Sequence, residues 1–468
     1  MHIFSRRIKK RTSIPFFLLL IVVLSNMNCN TPSGHQQQQQ NTAHLIMLAP
    51  GHFHAALLQK SMNDRIDSTV YVYAPKGQEV ETYLGLIQQY NSRPDHPTHW
   101  KETVYTGPDY LQKMLKEKPG NLVVLAGNNQ KKTAYIQESI AAGLNILADK
   151  PMAITSEGFT KLKAAFEAAD KKGLLLYDIM TERYEITNML QKAFSELPDV
   201  FGELQKGTAD DPAVVFENVH YFYKNVSGKP LIRPAWYFDT DQQGEGIVDV
   251  TTHLIDLIQW ECFSETSLNY ETDVKDLSAR HWPTVLSAEE FRKVTGKPDY
   301  PDYLKDEVKD SALSVYANGE INYVLKGIHT RVSAEWKFEA PAGAGDTYHA
   351  LLRGSKANLV LRQGKQQAYK PVLYIEPIAA DPQWDEALKS GLAQVQKTFP
   401  GIELEKSDNG WKVIVPDKYD TGHEQHFSLV INKYLDYLDK GSMPDWEKSF
   451  MLTKYYTTTQ ALKLATAD

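Results

Sequence analysis

The sequence predicts an α/β chain: a doubly wound parallel sheet over residues 43–181, then an α+β domain with an open, mostly antiparallel sheet over residues 182–468. Three observations carry this. Strand-like and helix-like runs alternate at the pitch of βαβ units from Ala43 to Tyr177. The run ending at Ala126 is apolar from Leu122 onward, as a strand covered on both faces must be. Beyond about Glu182 the runs lengthen and become β-branched and aromatic, with few helices between them.

In chain order, His44 to Ala49 is a short apolar strand that Gly51 breaks, and Ala55 to Met62 has helical spacing. Thr69 to Tyr73 is a second strand, and the proline-marked stretch from Arg93 to Pro97 is expected to be a loop. A helix around Tyr110 to Lys118 precedes the strand Asn121 to Ala126. Helices at Thr133 to Ala142 and Phe159 to Lys172 stop at Gly143 and Gly173, residues suited to a left-handed cap. Leu144 to Ala148 and Leu174 to Tyr177 complete the series. Longer strands are expected at Val214–Tyr223, Ala312–Tyr316, Ile321–Leu325, Thr330–Phe338, His349–Arg353 and Asn358–Arg362. Two helices, broken at Gly441 to Pro444, fill His423 to Ala465.

A length of 468 residues exceeds one ordinary core. The formal charge of -7 argues against a nucleic-acid partner, which would need a basic face. Residues 1–42 read as a leader and tether. Arg6, Arg7, Lys9, Lys10 and Arg11 precede a short apolar run, Ile14 to Leu24; Cys29 follows, then a polar tract with Gln36 to Gln40. This order resembles a bacterial lipoprotein signal. The expectation is export across the inner membrane, with Cys29 lipidated in the periplasm or at the outer membrane as the sole membrane attachment. Ser25-Asn26-Met27-Asn28 departs from the usual small residues, so cleavage without lipidation is the alternative. Cys262 is the one other cysteine, which leaves no internal disulfide in the mature chain.

The first strand ends Leu48-Ala49-Pro50-Gly51-His52-Phe53-His54-Ala55. A dinucleotide site needs a glycine where backbone meets the pyrophosphate, followed by a helix start. Gly51 fits the central glycine of G-x-G-x-x-G, while Ala49 and His54 stand in the outer positions; His52, Phe53 and His54 form the turn. The second strand ends Tyr73-Ala74-Pro75-Lys76, without the acid that grips an NAD ribose, so NADP stays open beside NAD. Asp249, His253 and Asp256 stand at i, i+4 and i+7, one face of a helix, where carboxylates can orient and tune a histidine as general base. His423 and His426 form an H-x-x-H pair with no cysteine or third ligand nearby, so no metal centre is expected.

Leu147-Ala148-Asp149-Lys150-Pro151 resembles the Glu-Lys-Pro signature of the Gfo/Idh/MocA (glucose–fructose oxidoreductase/inositol dehydrogenase) family, with Asp149 in place of Glu. Gly244-Glu245-Gly246, running on through Asp249, His253 and Asp256, resembles its G-G-G-x-x-x-D-x-G-x-H-x-x-D signature; Glu245 and Thr251 replace glycines. The resemblance implies an NAD(P)-dependent oxidoreductase acting on a hydroxyl of a sugar or polyol, and a homo-oligomer. It implies His253 as base, Asp249 orienting it or binding an adjacent hydroxyl, Lys150 on the reacting oxygen and at the cofactor, and a cis Lys150–Pro151 bond. Gly51, His52, Phe53, His54 and Asn128 would hold the cofactor; Arg183, Trp236 and Asp256 would face the substrate. A redox-neutral glycosidase or epimerase on the same scaffold, and a non-catalytic carbohydrate-binding lipoprotein, are the competing readings.

Overall fold

Strands β1 (Leu45–Leu48), β2 (Thr69–Tyr73), β3 (Lys101–Tyr105), β4 (Leu122–Leu125), β5 (Asn145–Asp149) and β6 (Leu176–Ile179) run parallel in the order β3-β2-β1-β4-β5-β6. The structure is a computed structural model that describes residues 42–226 and 229–467; the basic leader, Cys29 and the glutamine tract lie outside the described residues. Every residue of β1 and β4 is buried, since helices cover both faces. The strand order reverses between β1 and β4, which opens a crevice at their carboxyl ends.

Three elements of this half differ from the expectation. The helix Gln78–Ser92 fills a stretch with no expected element; it buries only Val80, Tyr83 and Ile87, an i, i+3, i+7 stripe thin enough to be hidden among polar residues. The edge strand β3 is largely solvent-facing, so it lacks an apolar run. The helix after the first turn is also shorter than expected, His54–Leu57.

The second sheet orders its strands Val274–Ser287, Ala312–Leu325, Ile328–Glu339, Val214–Tyr223, Thr347–Arg353, Ala357–Gln363, Val372–Pro377, Gly410–Ile414 and Glu403–Ser407. Its pairs are antiparallel except Ile328–Glu339 against Val214–Tyr223. The edge strand Val274–Ser287 escaped the sequence because only Val274 and Leu286 of its side chains are buried, and Pro283 sits at a register shift. One face of the sheet packs on the helix Thr251–Cys262 through Leu254, Ile255, Leu257 and Ile258.

The two C-terminal helices, His423–Lys440 and Asp445–Ala465, return to the first sheet. Phe427, Val430, Ile431, Tyr434 and Tyr455 join its core, while Phe450 and Ala461 join the core of the second sheet. They therefore clamp the two sheets together, a role that local periodicity cannot reveal. Among the described residues no helix is long and apolar enough to cross a membrane.

Candidate active-site cleft

A cleft of about 560 Å³ lies between the carboxyl ends of β1, β4 and β5 and one face of the second sheet. Its cofactor side is built from a tight backbone turn. Ala49 takes a left-handed φ of 48°, and the Gly51 and His52 amides both donate to the Ala126 carbonyl at 3.1 Å. A Cβ on Gly127 would lie 2.4 Å from the Ala49 carbonyl oxygen and 2.9 Å from the Gly51 nitrogen, so only glycine lets β4 approach the turn. A Cβ on Gly51 would instead meet the Glu79 carboxylate, a movable side chain, at 2.9 Å. Gly51→Val should therefore fold normally yet crowd the crevice and strip the cofactor. Full cofactor retention, read by absorbance and mass spectrometry of native protein, would contradict that placement.

Lys150 follows β5, and its bond to Pro151 is cis. Lys150 Nζ donates to Asp249 Oδ1 at 2.5 Å, and Gln243 Nε2 donates to Asp249 Oδ2 at 3.1 Å. His253 lies one turn beyond Asp249 and lines the same cleft. Its Nδ1 is buried and finds no hydrogen-bond partner among the described residues. Burial, with the Lys150 charge next in weight, holds His253 well below the usual imidazole range. An unprotonated imidazole lining the cleft is what a general base requires. The carboxylate of Asp249 serves Lys150 rather than the ring of His253, which corrects the expectation that it orients the base.

The glycines of the second signature also acquire reasons. Gly244 has φ 91°, and a Cβ on Gly246 would fall 1.7 Å from the Ala317 carbonyl oxygen. Glu245, between them, turns away and pairs with His281 Nδ1 at 2.6 Å, so a glycine is not needed there. Thr251 and Thr252 donate their hydroxyls one turn back to the carbonyls of Ile247 and Val248.

His52, Phe53 and His54 all reach the cleft, as do Lys150, Asp249 and His253. Three expected substrate residues do not. Arg183 forks onto Asp256 at 2.6 and 2.7 Å and reaches Glu447 at 2.9 Å, deep in the interior. Asp256 also accepts from Lys454 at 2.6 Å, and Lys454 bridges to Asp178 at 2.8 Å. The cleft-facing row on the helix is Asp249, His253 and Leu257, spaced by four; Asp256 is turned one residue aside and lies about 10 Å along the axis from Asp249 at 1.5 Å per residue. Trp236 sits in an apolar cluster behind the cleft, because adjacent side chains of the 3₁₀ turn Ala235–Phe238 fan apart and its neighbour Tyr237 takes the lining position. Asn128 holds Gln242 at 2.7 Å on the rim; Gly127 and Asn129 line the cleft instead.

On the far wall, Arg233 and Tyr237 come from the Gly/Pro-marked loop ahead of the second signature, which the sequence offers as a cover for a sugar; the rest was not legible as a site. Asp346 accepts from Lys224 at 2.8 Å and lies 3.0 Å from His220 Nδ1; although burial opposes it, these partners hold its carboxyl down to about 2. The Arg233 guanidinium stands 4.7 and 5.0 Å from the rings of Tyr237 and Trp336. Glu182, pushed up to about 7 by burial and then by Glu185, lies 4.0 Å from His423 Nε2. The period-2 alternation of Val214–Tyr223 was the available signal, since it puts Asn218 and His220 on one face; the partners from Asp346, Trp336 and His423 arrive from distant sequence.

A six-stranded doubly wound sheet with a glycine turn at its switch point, facing a cleft with a lysine and an unprotonated histidine, defines a dinucleotide-dependent oxidoreductase. The chain belongs to the Gfo/Idh/MocA family of NAD(P)-dependent oxidoreductases. Residues 48–177 match the family described as "Oxidoreductase family, NAD-binding Rossmann fold", and residues 190–466 match "Putative oxidoreductase C terminal domain". Among solved structures, one described as a putative oxidoreductase from Parabacteroides merdae is 49% identical, covers 92% of this chain and 99% of its own, and superposes with a TM-score of 0.90. A levoglucosan dehydrogenase in complex with NADH and levoglucosan shares the fold at 13% identity, 91% and 97% coverage and a TM-score of 0.56. A biliverdin reductase from Synechocystis, bound to biliverdin and NADP+, does so at 12% identity, 91% and 99% coverage and 0.56. No curated protein matches the chain.

Proposed function

We propose that the protein oxidises a hydroxyl of a sugar or sugar-like polyol to a carbonyl, or reduces that carbonyl back to the hydroxyl. The observation that carries this reading is the convergence of the Lys150–Asp249 pair and unprotonated His253 in one cleft. The bound nicotinamide supplies the hydride chemistry. His253 takes the hydroxyl proton, Lys150 holds the same oxygen and offsets its developing charge, and Asp249 fixes the lysine. Asn218, His220, Lys224 and Asp346 offer polar atoms to the hydroxyls of a sugar, and Tyr237 and Trp336 add apolar edges to the lining. The levoglucosan dehydrogenase neighbour is consistent with such a substrate.

A redox-neutral glycosidase or epimerase is favoured by one observation: Glu182, with its carboxyl near 7, gives the cleft a second proton donor or acceptor. A panel of free sugars and aryl glycosides, each with NAD or NADP, decides between the two. NADH accumulating with a free sugar supports the dehydrogenase, and glycoside cleavage without net NADH supports the second reading. Inertness toward both classes would sink the carbohydrate assignment.

The leader supports export with Cys29 as lipid anchor. Cys29→Ala should release the protein from membranes. Unchanged partitioning, with no lipid on Cys29, refutes the anchor.

A further inference from the structure

Two departures of this chain from its family motifs meet in space. His54 stands where the third glycine of the fingerprint belongs, and Asp149 stands where the lysine signature has Glu. Their side chains are in contact: His54 Nδ1 lies 2.9 Å from Asp149 Oδ2. His52, also from the turn, places its Nδ1 3.6 Å from the same oxygen. One ligand atom from each of the three residues lies within 4.8 Å of the others.

We propose that His52, His54 and Asp149 form a binding site for a divalent transition-metal ion of the zinc type. Two imidazoles and a carboxylate are a donor set for such ions. Tetrahedral ligation at 2.0–2.1 Å places neighbouring donor atoms about 3.3–3.4 Å apart, and the separations of 2.9 and 3.6 Å bracket that value. All three side chains are largely but not wholly covered, at 19%, 13% and 7% exposure, and line the cleft. Three protein ligands beside a cleft leave a coordination position open, the arrangement of a reactive rather than a structural site. Two neutral rings and one carboxylate leave a bound divalent ion with a net positive charge next to Lys150. The rings of His423 and Phe427 back the site, at 5.6 and 4.7 Å from that of His54.

The test uses the untagged full-length protein with its own cofactor bound, treated with chelator and titrated with Co²⁺ and then Zn²⁺. One equivalent of Co²⁺ should bind with the visible absorption of a four- or five-coordinate ion, and Zn²⁺ should displace it. His52→Ala/His54→Ala should weaken binding by more than about 100-fold, beyond what losing an outer-shell partner costs. His99→Ala, on an exposed loop, should bind as wild type. If the double variant does not fold, Asp149→Asn, of the same shape, carries the same expectation. Absence of stoichiometric binding, or wild-type affinity in the folded ligand variants, overturns the site. Because the readout is metal binding, the result stands apart from whether the enzyme turns over a sugar.

Discussion

His253→Ala is expected to lower turnover by about 10²–10⁴-fold while the fold and bound cofactor survive, the range for loss of a positioned general base. Lys150→Ala should be at least as damaging, since it removes both alignment and charge stabilisation at the reacting oxygen. Asp249→Asn should follow Lys150 rather than His253, because its carboxylate is committed to Lys150 at 2.5 Å. The pH profile carries a further signature. Burial and the Lys150 charge lower the pKa of His253, so the base stays unprotonated through neutral pH. The acid limb of kcat/KM, where protonation of the base removes activity, should accordingly fall below pH 6.5, the unperturbed imidazole value. Wild-type turnover in His253→Ala would remove the assignment, whatever the substrate proves to be.

Lys454→Met should destabilise the protein by about 3–5 kcal/mol, the cost of breaking a buried ion pair from one side. Lys454 is fully buried and bridges Asp178 to Asp256 at 2.8 and 2.6 Å. Without it the Asp178 carboxylate keeps, among the described residues, only the Tyr455 hydroxyl, at 2.7 Å, while Asp256 retains Arg183. Burial pushes the Asp178 carboxyl up, so Asp178→Asn in the same chain should recover part of the loss. Equilibrium denaturation of the three proteins measures this. A single variant as stable as wild type would show that the network carries no net stability. Because Asp256 lies one turn from His253, the variant should also lower turnover, but less than His253→Ala does.

The chemistry-bearing residues that sequence could locate are those set by short spacings. Gly51 is bound to the strand-to-helix turn, Lys150 to the end of β5, and Asp249 and His253 to one helix row four residues apart. The alternation of fully buried strands with glycine-stopped helices likewise determined the parallel sheet, since each signal lies within a dozen residues. Where the apolar signal is thin, as in Gln78–Ser92 and the edge strands Lys101–Tyr105 and Val274–Ser287, the same reading failed.

Tertiary structure alone decided what Arg183 and Asp256 do. An arginine after the last strand and a carboxylate on a helix face are equally compatible with a substrate cleft. Only the return of the C-terminal helix brings Glu447 and Lys454 against them, 264 and 198 residues away in sequence. The same holds for His54 and Asp149, which are 95 residues apart and each look like a mere motif defect until β1 and β5 are seen on either side of β4. Helical and strand periods fix which way a side chain points along its own element; which charge it meets there depends on packing between distant segments, and that pairing sets whether a polar group serves the cleft or the core.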